Sequence, residues 1–258
     1  MERGDGRRWT YAGIAVLAAA LCLRLLGLNK GLWMDETYSM KAIAPQTLRG
    51  MLRSMRWDDQ PPLYYVILRF WTMLGTNEAM LRLLSVLYSL AAILCVIYLM
   101  KQYSRSAALL AALVLATFPL ALRYSQEIRP YALLLLATAL AFYFATRILA
   151  QPGRKLYYFG LGVSLSVAVL SHLVGIFVPI PVFLFMVLRN PRWRNISLPA
   201  SMIILASVTA LFCIVRYYYL VGVERVTNNW WMPPISLSLF GSVIRSATAM
   251  PPASPGNP

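Results

Sequence analysis

Long apolar runs separated by short charged segments dominate the chain. An α-helix needs about 20 apolar residues to cross the roughly 30 Å hydrocarbon core of a bilayer. Five runs reach about that length, near residues 11–28, 79–100, 107–122, 130–148 and 198–220. This pattern predicts an all-α polytopic membrane protein.

A sixth apolar stretch, residues 157–188, is too long for one ordinary span and short for two. The sequence Ser-His-Leu-Val-Gly interrupts it near its middle. Basic residues flank it on both sides, with Arg147, Arg154 and Lys155 before it and Arg189, Arg192 and Arg194 after it. Because positive residues mark cytoplasmic helix ends, both ends belong on the same side. We therefore expect a hairpin of two short helices with His172 at its outer turn, which gives about seven spans.

Composition and charge agree with a membrane location. Apolar residues make up 59% of the chain, charged residues make up 13%, and the mean hydropathy is +0.62. The net charge of +15 is spread between the apolar runs, which indicates topology and phospholipid contact and excludes nucleic-acid binding. We expect residues 1–10 to be a cytoplasmic N-terminus and the chain to be a multi-pass protein of the cell membrane.

The connection between the first two spans, residues 29–78, is predicted to be the first outer loop. An i, i+3, i+4, i+7 apolar stripe that begins at Leu48 predicts an amphipathic helix in the interface. The apolar segment 63–74 would be only about 18 Å long as a helix, so it cannot cross the membrane. Two interfacial helices would thus frame the residues between Trp33 and Pro62.

Acidic residues concentrate on the predicted outer face. They are Asp35, Glu36, Asp58, Asp59, Glu78, Glu127 and Glu224. Sugar transfer from a polyprenyl phosphate requires a carboxylate as base, cations for the leaving phosphate, and a place at the membrane surface for a lipid-tailed donor. All three are predicted on this face.

Five motifs follow one another between Arg24 and Gly175. They are Trp-x-Asp-Glu at 33–36, Asp-x-x-Pro-Pro-Leu-Tyr-Tyr at 58–65, Arg-Leu-x-Ser at 82–85, Tyr-Ser-Gln-Glu-x-Arg-x-Tyr at 124–131 and Ser-His at 171–172. In this order they resemble the GT-C glycosyltransferases, in particular the bacterial dolichyl-phosphate-mannose protein mannosyltransferase-like branch, relatives of the lipid A aminoarabinose transferases. The resemblance implies a GT-C-like catalytic domain at residues 11–220. It also implies inverting transfer from a polyprenyl-phosphate sugar, with membrane lipids as partners and a protein, lipid or glycan as acceptor.

The resemblance implies roles for individual residues. Asp35 matches the general base of the superfamily and Glu36 its acidic neighbour, so both are candidate catalytic residues. Arg129 matches an arginine expected to hold the donor phosphate, with Arg82 as a second candidate. Substrate contacts are expected at Asp58, Asp59, Gln126, Glu127 and Tyr131.

His172 is the only histidine in the chain, and it matches a histidine that helps to hold a divalent metal ion in some relatives. The histidine that usually precedes the Pro-Pro pair is Gln60 here, and glutamine is a poor metal ligand. A lone histidine at an apolar turn is more often a hydrogen-bonded interfacial residue.

Other assignments also have simpler alternatives. The acids at 58 and 59 can cap a helix, and the arginines at 24, 82 and 129 can reach lipid headgroups. For the whole chain, the alternatives are a transporter or a catalytically inactive scaffold with the same fold. The second alternative arises because relatives carry further spans, whereas residues 221–258 are expected to be a truncated, turn-rich tail on the outer face.

Overall fold

A computed structural model describes residues 2–45, 47–54 and 60–189. Every regular element in these ranges is helical, which confirms the predicted all-α class. The helices are α1 (Glu2–Leu25), α2 (Met34–Ile43), α3 (Leu48–Ser54), α4 (Leu63–Trp71), α5 (Glu78–Lys101), α6 (Arg105–Thr117), α7 (Pro119–Ser125), α8 (Tyr131–Ala150), α9 (Lys155–Ser171) and α10 (Pro179–Arg189). A short 3₁₀ helix, Leu173–Phe177, joins α9 to α10.

Three helices are long and apolar enough to cross a membrane, namely Arg7–Leu25 of α1, α5 and α8. They agree with three of the predicted spans. The pair α6 and α7 is a fourth candidate, although it is bent by 63°, and α9 and α10 are shorter apolar helices. The predicted span 198–220 lies outside the described residues, so the total of about seven stays a prediction.

The predicted span 107–122 is broken between α6 and α7. Pro119 opens α7 and has no backbone N–H, so the carbonyl of Leu115 loses its helical partner. Arg24 replaces that partner, since its Nη2 donates to the Leu115 carbonyl (3.2 Å) and its Nη1 donates to the Ala116 carbonyl (3.0 Å). Arg24 is fully buried, so the expectation that it reaches lipid headgroups is wrong.

α9 runs antiparallel to α8. It begins beside the carboxyl end of α8, where Arg147 Nη2 donates to the Tyr157 hydroxyl (3.1 Å). It ends beside the start of α8, where the rings of His172 and Tyr131 have centroids 5.2 Å apart.

α10 returns towards the end of the bundle where α9 begins. A hydrogen bond from Gln102 to Thr146 (3.1 Å) shows that the carboxyl ends of α5 and α8 lie side by side. Arg189, in the last turn of α10, lies 5.1 Å from the ring centroid of Tyr103, just after α5. These contacts agree with the predicted hairpin and place His172 at its turn.

Among the described residues of the connection between α1 and α5 there are three short helices, where two were expected. α3 and α4 correspond to the expected pair, whereas α2 was not predicted. On α4, Tyr64, Tyr65 and Leu68 are fully buried in a cluster with Leu81 of α5 and Ile128. The last residue of α2 belongs to the same cluster, so the apolar core anchors α2 against the long helices.

Candidate active site

Two adjacent carboxylates open α2 and occupy different environments. Successive helical residues point about 100° apart around the axis, so neighbours on the chain face different surroundings. Asp35 keeps 30% of its side chain exposed, whereas Glu36 is buried. The Glu36 carboxylate accepts the backbone N–H of Trp33 (3.3 Å), which is one half of a capping box at the start of the helix.

Glu36 forms a bidentate ion pair with Arg82 of α5. Arg82 Nε donates to Oε1 (2.9 Å) and Nη2 donates to Oε2 (2.6 Å), and neither side chain is more than 2% exposed. The backbone N–H of Ile128 also donates to Oε1 (2.9 Å). Both carboxylate oxygens are therefore engaged by the protein. This favours a positioning role for Glu36 over the predicted catalytic one.

Arg82 donates its remaining N–H groups to the segment between α1 and α2. Nη1 donates to the carbonyls of Leu28 and Lys30, and Nη2 donates to the carbonyl of Gly31 (3.1 Å). All five guanidinium N–H groups thus have protein acceptors. The predicted contact of Arg82 with the donor phosphate gains no support, because no N–H remains for it.

Arg129 lies directly beside Asp35. Its Nη2 is 4.0 Å from Asp35 Oδ2, and its Nη1 is within hydrogen-bonding distance of the Asp35 carbonyl (3.4 Å) and the Tyr65 hydroxyl (3.3 Å). Arg129 is buried, and its Nε has no hydrogen-bond partner among the described residues. A buried guanidinium with a spare donor beside a partly exposed carboxylate is suited to hold an anion next to a base.

Aromatic side chains lie beside this pair. Tyr131 stacks on Tyr124, with ring centroids 4.2 Å apart, and also contacts His172. Nδ1 of His172 accepts the backbone N–H of Val174 (3.0 Å), so the proton of the neutral ring is on Nε2. Burial lowers the pKa of His172, and the positive charge of Arg129 lowers it further, which favours the neutral ring.

The described residues do not form a metal site by themselves. They contain no group of three or more His, Cys, Asp or Glu side chains that could hold one. His172 presents Nε2–H, which is a hydrogen-bond donor rather than a metal ligand in this tautomer. The predicted metal role of His172 stays a prediction.

A cleft of about 550 Å³ borders the Glu36–Arg82 pair. Its lining includes Lys30, Trp33, Arg123, Gln126 and Glu127, and we call it the side cleft. Arg123 Nε donates to Glu127 Oε1 (2.9 Å), and the Arg123 guanidinium lies 5.6 Å from the ring centroid of Trp33. Burial raises the pKa of Glu127, the ion pair with Arg123 opposes this rise, and the nearby acids Glu36 and Asp35 add to it.

Gln126 connects the end of α1 to the segment after α7. Its two Nε2–H groups are shared among the carbonyls of Leu23, Arg24 and Leu26, which lie at or just beyond the end of that helix. Only the Oε1 atom of Gln126 is therefore available for the predicted substrate contact. This atom is 3.5 Å from Lys30 Nζ.

The structure brings four of the predicted site residues together, namely Asp35, Arg129, Tyr131 and His172. It places Glu127 in the side cleft, and Asp58 and Asp59 lie outside the described residues. Sequence analysis missed the contact of Tyr65 with Arg129 and the pairing of Arg123 with Glu127. Tyr65 lies within the motif at 58–65, and Arg123 directly precedes the motif at 124–131. Their position in or next to these motifs was the signal that could have identified both residues.

The fold and the site define an all-α membrane protein with a carboxylate and a guanidinium side by side at one end of its helices. A family model described as dolichyl-phosphate-mannose-protein mannosyltransferase matches residues 59–220, which is more than half of the chain. The chain belongs to this family, and the family supports membrane glycosyltransferase activity. No curated protein matches the chain. The family match includes Arg82, Glu127 and Arg129 and begins after Asp35 and Glu36.

Proposed function

We propose that this protein is an inverting glycosyltransferase that moves a sugar from a polyprenyl-phosphate-linked donor to an acceptor on the outer face of the cell membrane. The family supports the transfer of a sugar in a membrane. The contact between Asp35 and Arg129 carries the finer proposal. This reaction needs a base and a phosphate-binding cation within reach of one substrate.

Asp35 acts as the general base. Its partly exposed carboxylate can be reached by an acceptor hydroxyl or amine. Asp35 takes the proton while the acceptor atom attacks the anomeric carbon of the donor sugar. The bond from that carbon to the phosphate oxygen breaks, and the oxygen keeps the electron pair. A single displacement at the anomeric carbon inverts its configuration.

Arg129 stabilises the departing lipid phosphate. Negative charge on that phosphate grows as the bond breaks, so a fixed guanidinium stabilises the transition state more than the ground state. The Tyr65 hydroxyl and the Asp35 carbonyl hold Nη1, while Nε has no partner among the described residues. Guanidinium groups match phosphate oxygens well because their donors form a planar fork.

Glu36 and Arg82 position the base rather than take part in the reaction. Their ion pair fixes the first turn of α2, which carries Asp35, against α5. Arg82 also holds the carbonyls of Lys30 and Gly31, which precede α2. The protein therefore holds the backbone in place both before and after Asp35.

The charge pattern and the resemblance support the proposed topology and substrate class. The N-terminus, residues 1–10, is cytoplasmic, and the site at the opposite end of the helices faces outwards. We assign residues 11–220 to the catalytic domain and residues 221–258 to the proposed outer tail, and residues 190–258 lie outside the described residues. The donor tail lies among membrane lipids, and the acceptor is a protein, a lipid or a glycan. We propose that the chain belongs to the bacterial branch of the family that is related to the lipid A aminoarabinose transferases.

The proposal is tested by donor consumption in membrane vesicles that contain the full chain. Polyprenyl-phosphate mannose serves as the probe, and free polyprenyl phosphate is measured over time with and without mixed membrane acceptors. We expect acceptor-dependent release above that of vesicles without the chain. The absence of release is the result expected of an inactive scaffold or a transporter, and it would contradict the proposal.

A further inference from the structure

The side cleft holds a carboxylate oxygen without a partner. The Glu127 side chain is more than nine-tenths buried, and its Oε1 accepts from Arg123 at 2.9 Å. Its Oε2 is also buried and has no hydrogen-bond partner among the described residues. A buried oxygen in this state is costly unless a ligand or water supplies a donor. Because Glu127 lines the side cleft, a ligand bound there can supply one.

The rim of the side cleft carries an aromatic ring and cations. Trp33 is 39% exposed, and the Arg123 guanidinium lies over its ring. The Arg123 side chain is 63% exposed, and Lys30 also lines the cleft. An open aromatic surface beside a carboxylate and N–H donors matches the surface of a sugar ring, which has apolar C–H faces and a rim of hydroxyls.

Two other ligand classes match the side cleft less well. A peptide binds largely through main-chain groups, but the carbonyls of Lys30 and Gly31 already accept from Arg82. The two arginines that line the cleft are already paired with Glu36 and Glu127, so a phosphate would meet the partnerless Oε2 of Glu127. Like charges disfavour that contact.

We propose that the side cleft binds a carbohydrate ring of the acceptor, with one hydroxyl donating to Glu127 Oε2 and the ring lying against Trp33. This inference rests on the proposed function, because it assigns the acceptor of that transfer. Asp35 directly precedes Glu36, which lines the side cleft, so a ring bound there lies near the proposed base. The acceptor is accordingly a glycan or a glycolipid.

The test is sugar binding by the full chain in lipid nanodiscs without any donor. Saturation-transfer NMR is recorded with maltotriose and with the methyl glycosides of D-glucose, D-mannose and D-galactose as probes. We expect a saturable signal from at least one probe, weakened tenfold or more by Glu127→Gln and by Trp33→Leu. Tyr38→Leu is the matched control, because Tyr38 is an exposed aromatic residue on α2, the helix that follows Trp33, and does not line the cleft.

The proposal is overturned if no probe binds, or if binding survives both variants in the cleft. Displacement of the sugar by a serine-containing peptide, inorganic phosphate or polyprenyl phosphate also overturns it, because another ligand then occupies the site. Thermal unfolding shows which variants fold. If Glu127→Gln does not fold, Trp33→Leu and Arg123→Gln decide the result.

The two proposals fail separately. Sugar binding without donor consumption leaves the side cleft in place and removes the proposed transferase activity. Donor consumption without sugar binding keeps the transferase and removes the carbohydrate acceptor.

Discussion

Glu36 and Arg82 are 46 residues apart in the sequence and meet as a bidentate ion pair between α2 and α5. Both side chains are buried, so each charge depends on the other. Asp35 precedes Glu36 directly, and the pair therefore fixes the carboxylate that we propose as the base. A structural contact in the interior thus sets the geometry at a partly exposed site.

Breaking this pair should destabilise the protein strongly. Glu36→Gln leaves the Arg82 charge buried without its counter-charge, and we expect a loss of about 3–5 kcal/mol in the free energy of unfolding. Chemical denaturation in detergent measures it. Glu78→Gln, an exposed acid at the start of α5, is the control and should change stability by less than about 0.5 kcal/mol. Equal stability of the two variants would contradict the structural role of the pair.

Asp35→Asn should abolish transfer without unfolding the protein. The amide keeps the shape of the side chain but cannot accept the acceptor's proton, so we expect a loss of about 100-fold or more in kcat. Donor consumption in vesicles measures the rate, and the unfolding temperature should stay near that of wild type. Turnover close to wild type would remove Asp35 from the mechanism.

Arg129→Lys should weaken the handling of the donor. Lysine keeps the charge but lacks the planar fork of donors, and we expect roughly a tenfold fall in kcat/KM for the lipid-linked sugar, or about 1.4 kcal/mol. Arg154→Lys, at an exposed position before α9, is the matched control. If the two variants have the same kinetics, Arg129 does not contact the phosphate.

Arg24→Met should destabilise the break between α6 and α7. The change removes the donors to Leu115 and Ala116, and each unpaired buried carbonyl costs about 1–3 kcal/mol. Thermal unfolding in detergent measures the effect. Cys22→Ala on the exposed side of the same helix should have little effect. A headgroup contact alone would predict the same small change for both variants.

The stability of the protein should fall in mild acid because of His172. Its pKa in the folded protein lies below the ordinary value of 6.5, so the unfolded chain binds a proton more readily. The free energy of unfolding should therefore decrease as the pH falls from about 6.5 towards the lowered pKa. Unfolding measured between pH 5 and 7.5 tests this, and His172→Gln should reduce the slope. If His172→Gln leaves the slope of unfolding free energy against pH unchanged, carboxylates alone cause the pH dependence.

The spans and the hairpin were predictable because they depend on local composition. Apolar length gave α1, α5 and α8, and the basic residues on both sides of α9 and α10 indicated the return. The break before Pro119 was missed because hydropathy does not record a lost backbone donor. α2 was missed because its first turn depends on contacts with α5, which is remote in sequence.

The sequence by itself determined the membrane class and the order of the motifs, and the resemblance carried by those motifs implied the candidates Asp35 and Arg129. Only the tertiary structure decided which arginine is free to meet a ligand. Arg82 and Arg129 both lie in motifs, but Arg82 has protein acceptors for all its N–H groups, whereas Arg129 keeps a spare donor beside Asp35. The reason is physical, because the partners of a guanidinium come from carbonyls and carboxylates that are distant in sequence and meet only when the helices pack.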